Sequence, residues 1–232
     1  MKKLIILAAT LVTVLVGICL YYFDLMQVGP VIQNTVKSIP GADKTNTSKK
    51  GRTVSGAVKE FGEKTDLQLA PYFAKAGVAF PPAKLTFIAL KEEKQLEVWA
   101  EKDNRWIHIK TYGVKAASGS SGPKLQEGDR QVPEGMYKIE GLNPNSNFHL
   151  SLKVNYPNEF DLLQAKAEGR QQLGGDIFIE EIFVLTERVG KNNVSVIIAP
   201  RDFRKNKPAG DSGKEWVNNL YASIDANLEP FR

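Results

Sequence analysis

The run from Leu4 to Phe23 contains no charged residue, follows Lys2 and Lys3, and is closed by Asp24. About 20 apolar residues are enough for a helix to cross a bilayer. The two lysines are expected to stay in the cytoplasm, which sends the rest of the chain outward. A cleaved signal peptide is the competing reading, but Leu20, Tyr21, Tyr22 and Phe23 occupy the place of a small-x-small cleavage site. The sequence therefore predicts an uncleaved transmembrane anchor over residues 1–28. Cys19, the single cysteine of the chain, lies inside this run. A thiol in hydrocarbon is not poised as a nucleophile, and Ile18 is too bulky for the position before an acylated cysteine.

The remainder is long enough for one well-buried domain with appendages. The formal charge of +5 is spread along the chain, with a small knot at Lys49, Lys50 and Arg52. Nucleic-acid binding would gather the basic residues on one helix or loop with interleaved aromatics, so that class is set aside. Weak attraction to an anionic lipid or polymer fits the balance better. Residues 29–56 are polar and small, with no sustained period, and read as a linker. The expected organisation is an anchor over 1–28, a linker over 29–64, a folded domain over 65–204 and a tail with an amphipathic helix over 205–232. Thr65-Asp66 is predicted to cap a helix running to Lys75, with Gly77 as its stop and Pro71 tolerable only in its first turn.

From Leu85 the pattern becomes strand-like. Residues 85–90, 95–100 and 105–114 are β-branched or aromatic runs, separated by Lys91-Glu92-Glu93-Lys94 and Glu101-Lys102-Asp103-Asn104. Leu96 and Val98 alternate with Glu97 and Trp99, as in a half-buried strand. Further strands are expected at 135–140, 148–155, 176–179 and 193–199. The pattern predicts a mainly β, α+β domain of sandwich type with a few flanking helices. At the C-terminus, Ser212 and Glu215 have capping-box spacing. Val217, Leu220, Tyr221, Ile224 and Leu228 then give a helix one apolar stripe for packing on the sheet.

Several consecutive blocks carry a family likeness. Ala116-Ala117-Ser118-Gly119, Gly122-Pro123-Lys124-Leu125 and the stretch Glu127-Gly128-Asp129-Arg130-Gln131-Val132-Pro133-Glu134-Gly135 resemble the L,D-transpeptidase (YkuD-type) catalytic domain, in its YafK-like branch. So do Leu142-Asn143-Pro144-Asn145-Ser146, Phe148-His149-Leu150-Ser151-Leu152 and Tyr156-Pro157-Asn158. The likeness runs from about Leu67 to Arg204. It implies peptidoglycan chemistry: a cysteine thiolate attacks a stem-peptide carbonyl and passes the acyl group to an amine or to water. It also implies an L,D-transpeptidase-like β-sandwich in the periplasm, a part in cell-wall biogenesis and cell shape, and stem peptides or an envelope lipoprotein as partners. No cofactor or metal is implied.

In that branch a Gly-Gly-Asp-Ile-Phe-Ile strand is followed by His-Gly, a short turn, Ser-x-Gly-Cys and a helix. Here Gly174-Gly175-Asp176-Ile177-Phe178-Ile179 is followed directly by Glu180-Glu181-Ile182-Phe183-Val184-Leu185, which resembles the helix after the cysteine. Val194 to Asp202 then resembles the family's last strand. Connections of this kind normally need about 2–6 residues with turn chemistry. The nucleophile is thus expected to be missing between Ile179 and Glu180, with both flanks kept and some loss of stability. A single long strand over 176–185 is the plainer alternative, though adjacent Glu180 and Glu181 break its alternation.

Residues expected to line the former cleft are Lys124, His149, Ser151, Tyr156, Gly175 and Asp176. His149 and Ser151 share one strand face by spacing. A serine activated by that histidine lacks an identifiable orienting carboxylate, and scaffold residues are the simpler reading. His108 reads as an outward strand residue, and two lone histidines do not make a metal site. Asp129 and Glu134 flank a proline-containing turn and are not read as an acid–base pair. Three functions remain open at this stage. They are an inactive envelope protein (a pseudoenzyme) that binds peptidoglycan, an active transpeptidase or hydrolase whose catalytic turn is lacking from this sequence, and a non-enzymatic scaffold.

Overall fold

A computed structural model describes residues 51–115, 118–146, 150–180, 182–210 and 212–232. The expected anchor and the linker up to residue 50 lie outside them. Among the described residues no helix is long and apolar enough to cross a membrane. The strands are β1 (Leu85–Leu90), β2 (Gln95–Lys102), β3 (Arg105–Gly113), β4 (Gly135–Asn143), β5 (Ser151–Val154), β6 (Phe178–Ile179) and β7 (Val194–Ala199). The helices are α1 (Val54–Lys75), α2 (Glu159–Ala167), α3 (Phe183–Val189) and α4 (Glu215–Leu228), with 3-10 turns at Lys191–Asn193 and Glu229–Phe231.

β1 to β3 form a meander because their polar connections supply the turns. Asp103 (φ 51°) and Asn104 (φ 59°) both take the left-handed conformation, which the tight two-residue hairpin requires and which these residue types tolerate. The strands make one mixed sheet in the order β3-β2-β1-β7-β4-β5-β6. The central pair is parallel, Leu85 opposite Val194 through Leu90 opposite Ala199, while the other pairs are antiparallel. Leu85, Phe87, Leu96, Val98, Tyr137, Ile139, Val194, Val196 and Ile198 pack in one core with α1 and α3. Ile88, Leu90, Ile197 and Ala199 face the other way, against Leu220, Ile224 and Leu228 of α4 and the terminal Phe231. A central strand covered on both faces has no polar side, which is why β1 and β7 read as near-continuous apolar runs.

The α+β class stands, but helices rather than a second sheet cover both faces, so the sandwich expectation gives way to a helix–sheet–helix arrangement. The segment expected as a tail is the covering layer of one face. Glu97 and Trp99, expected on an outer face of β2, are sheltered there. Arg204 grips Glu97 with two bonds (Nη1 2.9 Å, Nη2 2.8 Å) and donates to Asp202 through Nε at 2.7 Å. Trp99 Nε1 donates to Glu97 at 2.8 Å, and Phe231 meets the Trp99 ring edge-on at 5.4 Å.

Two helix starts differ from expectation. α1 begins at Val54, not Thr65, because Thr53 is extended and its Oγ1 accepts from Gly56 N at 3.0 Å. Thr65 is already inside the helix, where its hydroxyl donates to Phe61 O at 2.9 Å. Pro71 lies far beyond the first turn. It is on an exposed face beside Leu67, 70% exposed, where water can serve the carbonyl that lost its donor. α4 begins after Lys214 without a side-chain cap. Ser212 Oγ instead lies 2.7 Å from Asn218 Oδ1 and 2.9 Å from Lys214 O, either of which can take its proton.

Candidate functional site

Strand ends, the first turn of α2 and the segment before β6 surround a depression of ≈ 960 Å³. Lys138 of β4, Lys153 of β5, Asn155, Tyr156, Gly175 and Asp176 are among its lining residues. Its rim is fixed from the backbone outward. Asn158 caps α2 by accepting from Asp161 N at 3.1 Å, and Asp161 Oδ2 accepts from Asn158 N at 2.9 Å. These bonds close a capping box. Asn158 Nδ2 also donates to Met136 O at 3.0 Å, joining α2 to β4. Asn155 Oδ1 accepts from Lys138 N at 2.6 Å, joining the end of β5 to the same strand.

The opposite rim needs left-handed backbone at Gly174 (φ 74°) and Asp176 (φ 54°). A side chain on Gly174 would stand 3.2 Å from Glu127 Cα, because Glu127 N donates to Gln172 O at 2.8 Å and draws the two loops together. Lys153 Nζ lies 3.3 Å from Glu140 and 3.9 Å from Asp176. The three side chains are 38%, 53% and 83% exposed, so these pairs add little stability and leave their charges available to a ligand.

Beneath the rim is a buried polar layer. Tyr137 OH lies 3.2 Å from Glu134 O and 3.3 Å from Asp161 Oδ1, either of which can take its proton. Tyr156 OH stands in the same way between Lys124 O (3.3 Å) and Leu173 O (3.4 Å). Burial raises both phenols above their ordinary range, with nearby carboxylates adding to it. Burial also raises Asp161, against the bonds from Asn158 and Tyr137 that favour its charged form. These phenols remain protonated at neutral pH and act as donors, not as bases.

The 118–133 loop is stapled internally. Asp129 accepts from Lys124 Nζ (2.6 Å) and from the amides of Leu125 (2.8 Å), Gln126 (3.0 Å) and Gln131 (3.0 Å). Burial pushes its carboxyl up, but the four donors outweigh it and hold the group at about 2. Glu134 Oε1 accepts from Lys91 Nζ (2.8 Å) and Gly122 N (2.9 Å), and Oε2 from Tyr221 OH (2.8 Å). Asp129 and Glu134 therefore belong to separate hydrogen-bond networks.

Of the residues expected to line a cleft, Tyr156, Gly175 and Asp176 come together at the depression. Lys124 is buried and points into its own loop. Ser151 is 1% exposed, and its Oγ has no hydrogen-bond partner among the described residues. His149 lies outside the described residues. His108 is on β3, its Nε2 2.8 Å from Thr111 Oγ1 and its ring against Trp99. Sequence reasoning missed Lys138, Lys153 and Asn155, whose alternation on β4 and β5 was visible but whose shared depression depends on strand pairing.

The strand before the junction and the helix after it both exist. β6 ends at Ile179 and α3 starts at Phe183, so the long-strand alternative does not hold. Ile182 at the head of α3 offers no side-chain cap. Only Cys19 in the whole chain carries a thiol, so the junction has none. Among the described residues no group of three or more His, Cys, Asp or Glu could hold a metal ion.

The segment Gly174 to Ile179, whose last two residues form β6, leads toward α3 beside a Pro-Glu-Gly loop and a Tyr-Pro-Asn turn, among the blocks on which the resemblance to the L,D-transpeptidases rests. Sequence comparison finds the same likeness over part of the chain. A stretch of 73 residues is 30% identical to the putative L,D-transpeptidase YafK of Escherichia coli K12, and equally to that of E. coli O157:H7. The match covers 31% of this chain and 30% of the relative, less than a third of either. No protein-family model matches the chain. Among solved structures, the helical cell shape determining protein Pgp2 from Campylobacter jejuni overlaps 59% of this chain and 56% of its own, at 18% identity and TM-score 0.42. Bd1075 from Bdellovibrio bacteriovorus overlaps 66% and 57%, at 15% identity and TM-score 0.38.

Proposed function

We propose that this chain is a peptidoglycan-associated, L,D-transpeptidase-like protein of the cell envelope that binds stem peptides without cysteine acyl transfer. In this reading Leu4 to Phe23 anchors it in the inner membrane and the domain lies in the periplasm. The observation that carries the proposal is the passage from β6 into α3. Strand and helix are both present, yet the three residues that join them, Glu180 to Ile182, include no cysteine, serine or histidine. Acyl transfer by the family's route needs a thiolate at that turn, and a strand and helix kept without it can still shape a binding surface. The depression supports the binding part: Lys138, Lys153 and Asp176 present both signs of charge, as a zwitterionic stem peptide requires.

Co-sedimentation of the full chain, in mild detergent, with purified peptidoglycan sacculi tests the proposal. The protein is expected to pellet with the sacculi, Lys153→Glu to weaken that association, and stem-peptide composition to stay unchanged. Failure to pellet would remove the binding function. New free or cross-linked stem peptides would show that a catalytic route survives.

A further inference from the structure

A second hollow, of ≈ 860 Å³, lies between the 118–133 loop, the segment 200–210 and the start of α4. Its walls include Pro200, Pro208 and Trp216 together with three cations, Arg170, Arg201 and Lys214. The first and last of these cations share one carboxylate. Glu168 lies 2.7 Å from Arg170 and 2.8 Å from Lys214, and its ring-side contact comes from Trp216 Nε1 at 2.9 Å. Asp129, also in the wall, is already engaged by Lys124.

Arg201 is different. No carboxylate among the described residues stands within ion-pair distance of it. Its Nη2 reaches Lys207 O at a long 3.4 Å, and its guanidinium sits 5.9 Å from the Phe203 ring. Half-sheltering a guanidinium beside apolar walls with no counter-charge among the described residues is unfavourable unless something else supplies one. Lys205 and Lys207 of the same segment, each 70% exposed, are matched by Asp202 (3.4 Å) and Asp225 (4.0 Å), so the unmatched positive charge centres on Arg201.

We propose that this hollow is a binding groove for an extended acidic peptide segment of a partner protein. A carboxylate would pair with the fork of Arg201, and neighbouring acidic groups would meet the excess charge of Arg170 and Lys214. The proline and tryptophan walls supply rigid apolar contact, the usual make-up of a peptide groove with a few placed polar groups. The groove is separate from the depression lined by Tyr156 and Asp176, so the two functions fail independently.

The test uses the full chain in mild detergent and fluorescence anisotropy with fluorescein-labelled hexaglutamate, against hexaglutamine as the neutral control. Hexaglutamate is expected to bind and hexaglutamine not. Binding should weaken as salt shortens the screening length. Arg201→Gln should weaken it about tenfold, a loss of one charge-assisted pair, while Arg201→Lys retains part of it and Lys153→Glu leaves it unchanged. Equal binding of the two peptides, or an unaltered affinity in Arg201→Gln with an unchanged thermal transition, overturns the proposal. Binding of dextran sulfate through Arg201 with no binding of hexaglutamate overturns it in favour of an anionic glycan.

Discussion

Replacing Glu134 by Gln removes one negative charge from a site that water does not reach. The Glu134 side chain is 0% exposed and that of Lys91 is 6% exposed. After the substitution the Lys91 ammonium keeps the carbonyls of Gly122 and Val132, each at 2.9 Å, but loses its counter-charge. The new amide can keep its oxygen toward Lys91 and Gly122 N, which share Oε1, and turns its NH2 toward Tyr221 OH, so the loss is chiefly that of the charge. Breaking a buried pair by removing one partner costs about 3–5 kcal/mol. The two remaining carbonyls keep the loss near the lower end, about 3 kcal/mol. In a domain of this size that corresponds to a fall of roughly 6–12 °C in Tm. Thermal and urea unfolding followed by circular dichroism measure it, with Lys91→Met and the double variant completing a cycle. The double variant should recover about 2 kcal/mol of the summed single losses, because neither charge is then stranded. An additive cycle, or a loss below about 1 kcal/mol for Glu134→Gln, would refute the reasoning.

Acid should unfold the domain through two carboxyls in particular. Asp129 is held at about 2 by Lys124 and loop amides that outweigh its burial, and Glu168 is held at about 2 by Lys214, against burial and with help from Trp216 and Arg170. Both lie below their unfolded values, so their stabilisation is complete above about pH 4.5 and lost as pH falls toward about 2. A pH series of Tm should show that loss, and Asp129→Asn should flatten it; an unchanged acid limb would dismiss this account. Arg204→Met strands Glu97, leaves Asp202 with the exposed Lys205 and one backbone amide, and should cost about 3 kcal/mol, with faster hydrogen exchange in α4; exchange unchanged there would show that the clamp does not hold the helix. Inserting Gly-Ser-Asn-Gly between Ile179 and Glu180 should leave stability within about 1 kcal/mol or raise it, since lengthening a loop costs little and the amides at the head of α3 gain access to water. A drop beyond about 2 kcal/mol in urea unfolding would show that the short junction is well fitted.

The strands were legible because their signal is local. Leu96 and Val98 alternate with Glu97 and Trp99 within one run, and Asp103-Asn104 carries its own turn chemistry. What alternation could not convey is what covers the second face. Glu97 reads as a solvent residue until Arg204, 107 positions away, is folded against it. The same holds for Glu134, whose Lys91 partner is 43 positions away and whose Tyr221 partner is 87 away. Helix ends failed for a different reason, competition between equivalent hydroxyls. Thr53 and Thr65 both offer a cap, and the glycines at 56 and 62 made the earlier one look like linker. Gly62 is in fact buried against α3, where a Cβ would meet Arg188 Nη2 at 2.9 Å. At α4 the Ser212 hydroxyl found Asn218 instead of the helix amides.

The junction between β6 and α3 separates what a fold needs from what its chemistry needs. Packing depends on Ile182, Phe183, Val184 and Leu185, all nearly or fully buried in the core under the sheet. None of them depends on the turn that precedes them, so a thiol-bearing turn can be absent while the helix stays in place. The strand side is held more weakly. β6 has two residues, Phe178 is 40% exposed, and its pairing with β5 is confined to Leu152 with Ile179 and Lys153 with Phe178. Val154 N reaches Ile177 O at 2.9 Å just ahead of the strand. The helix therefore secures the junction and the strand follows it. Next to it, Ser151 keeps a buried hydroxyl without a hydrogen-bond partner among the described residues. Such an atom costs about 1–3 kcal/mol. That cost falls on β5, the strand that pairs with β6 just ahead of the junction.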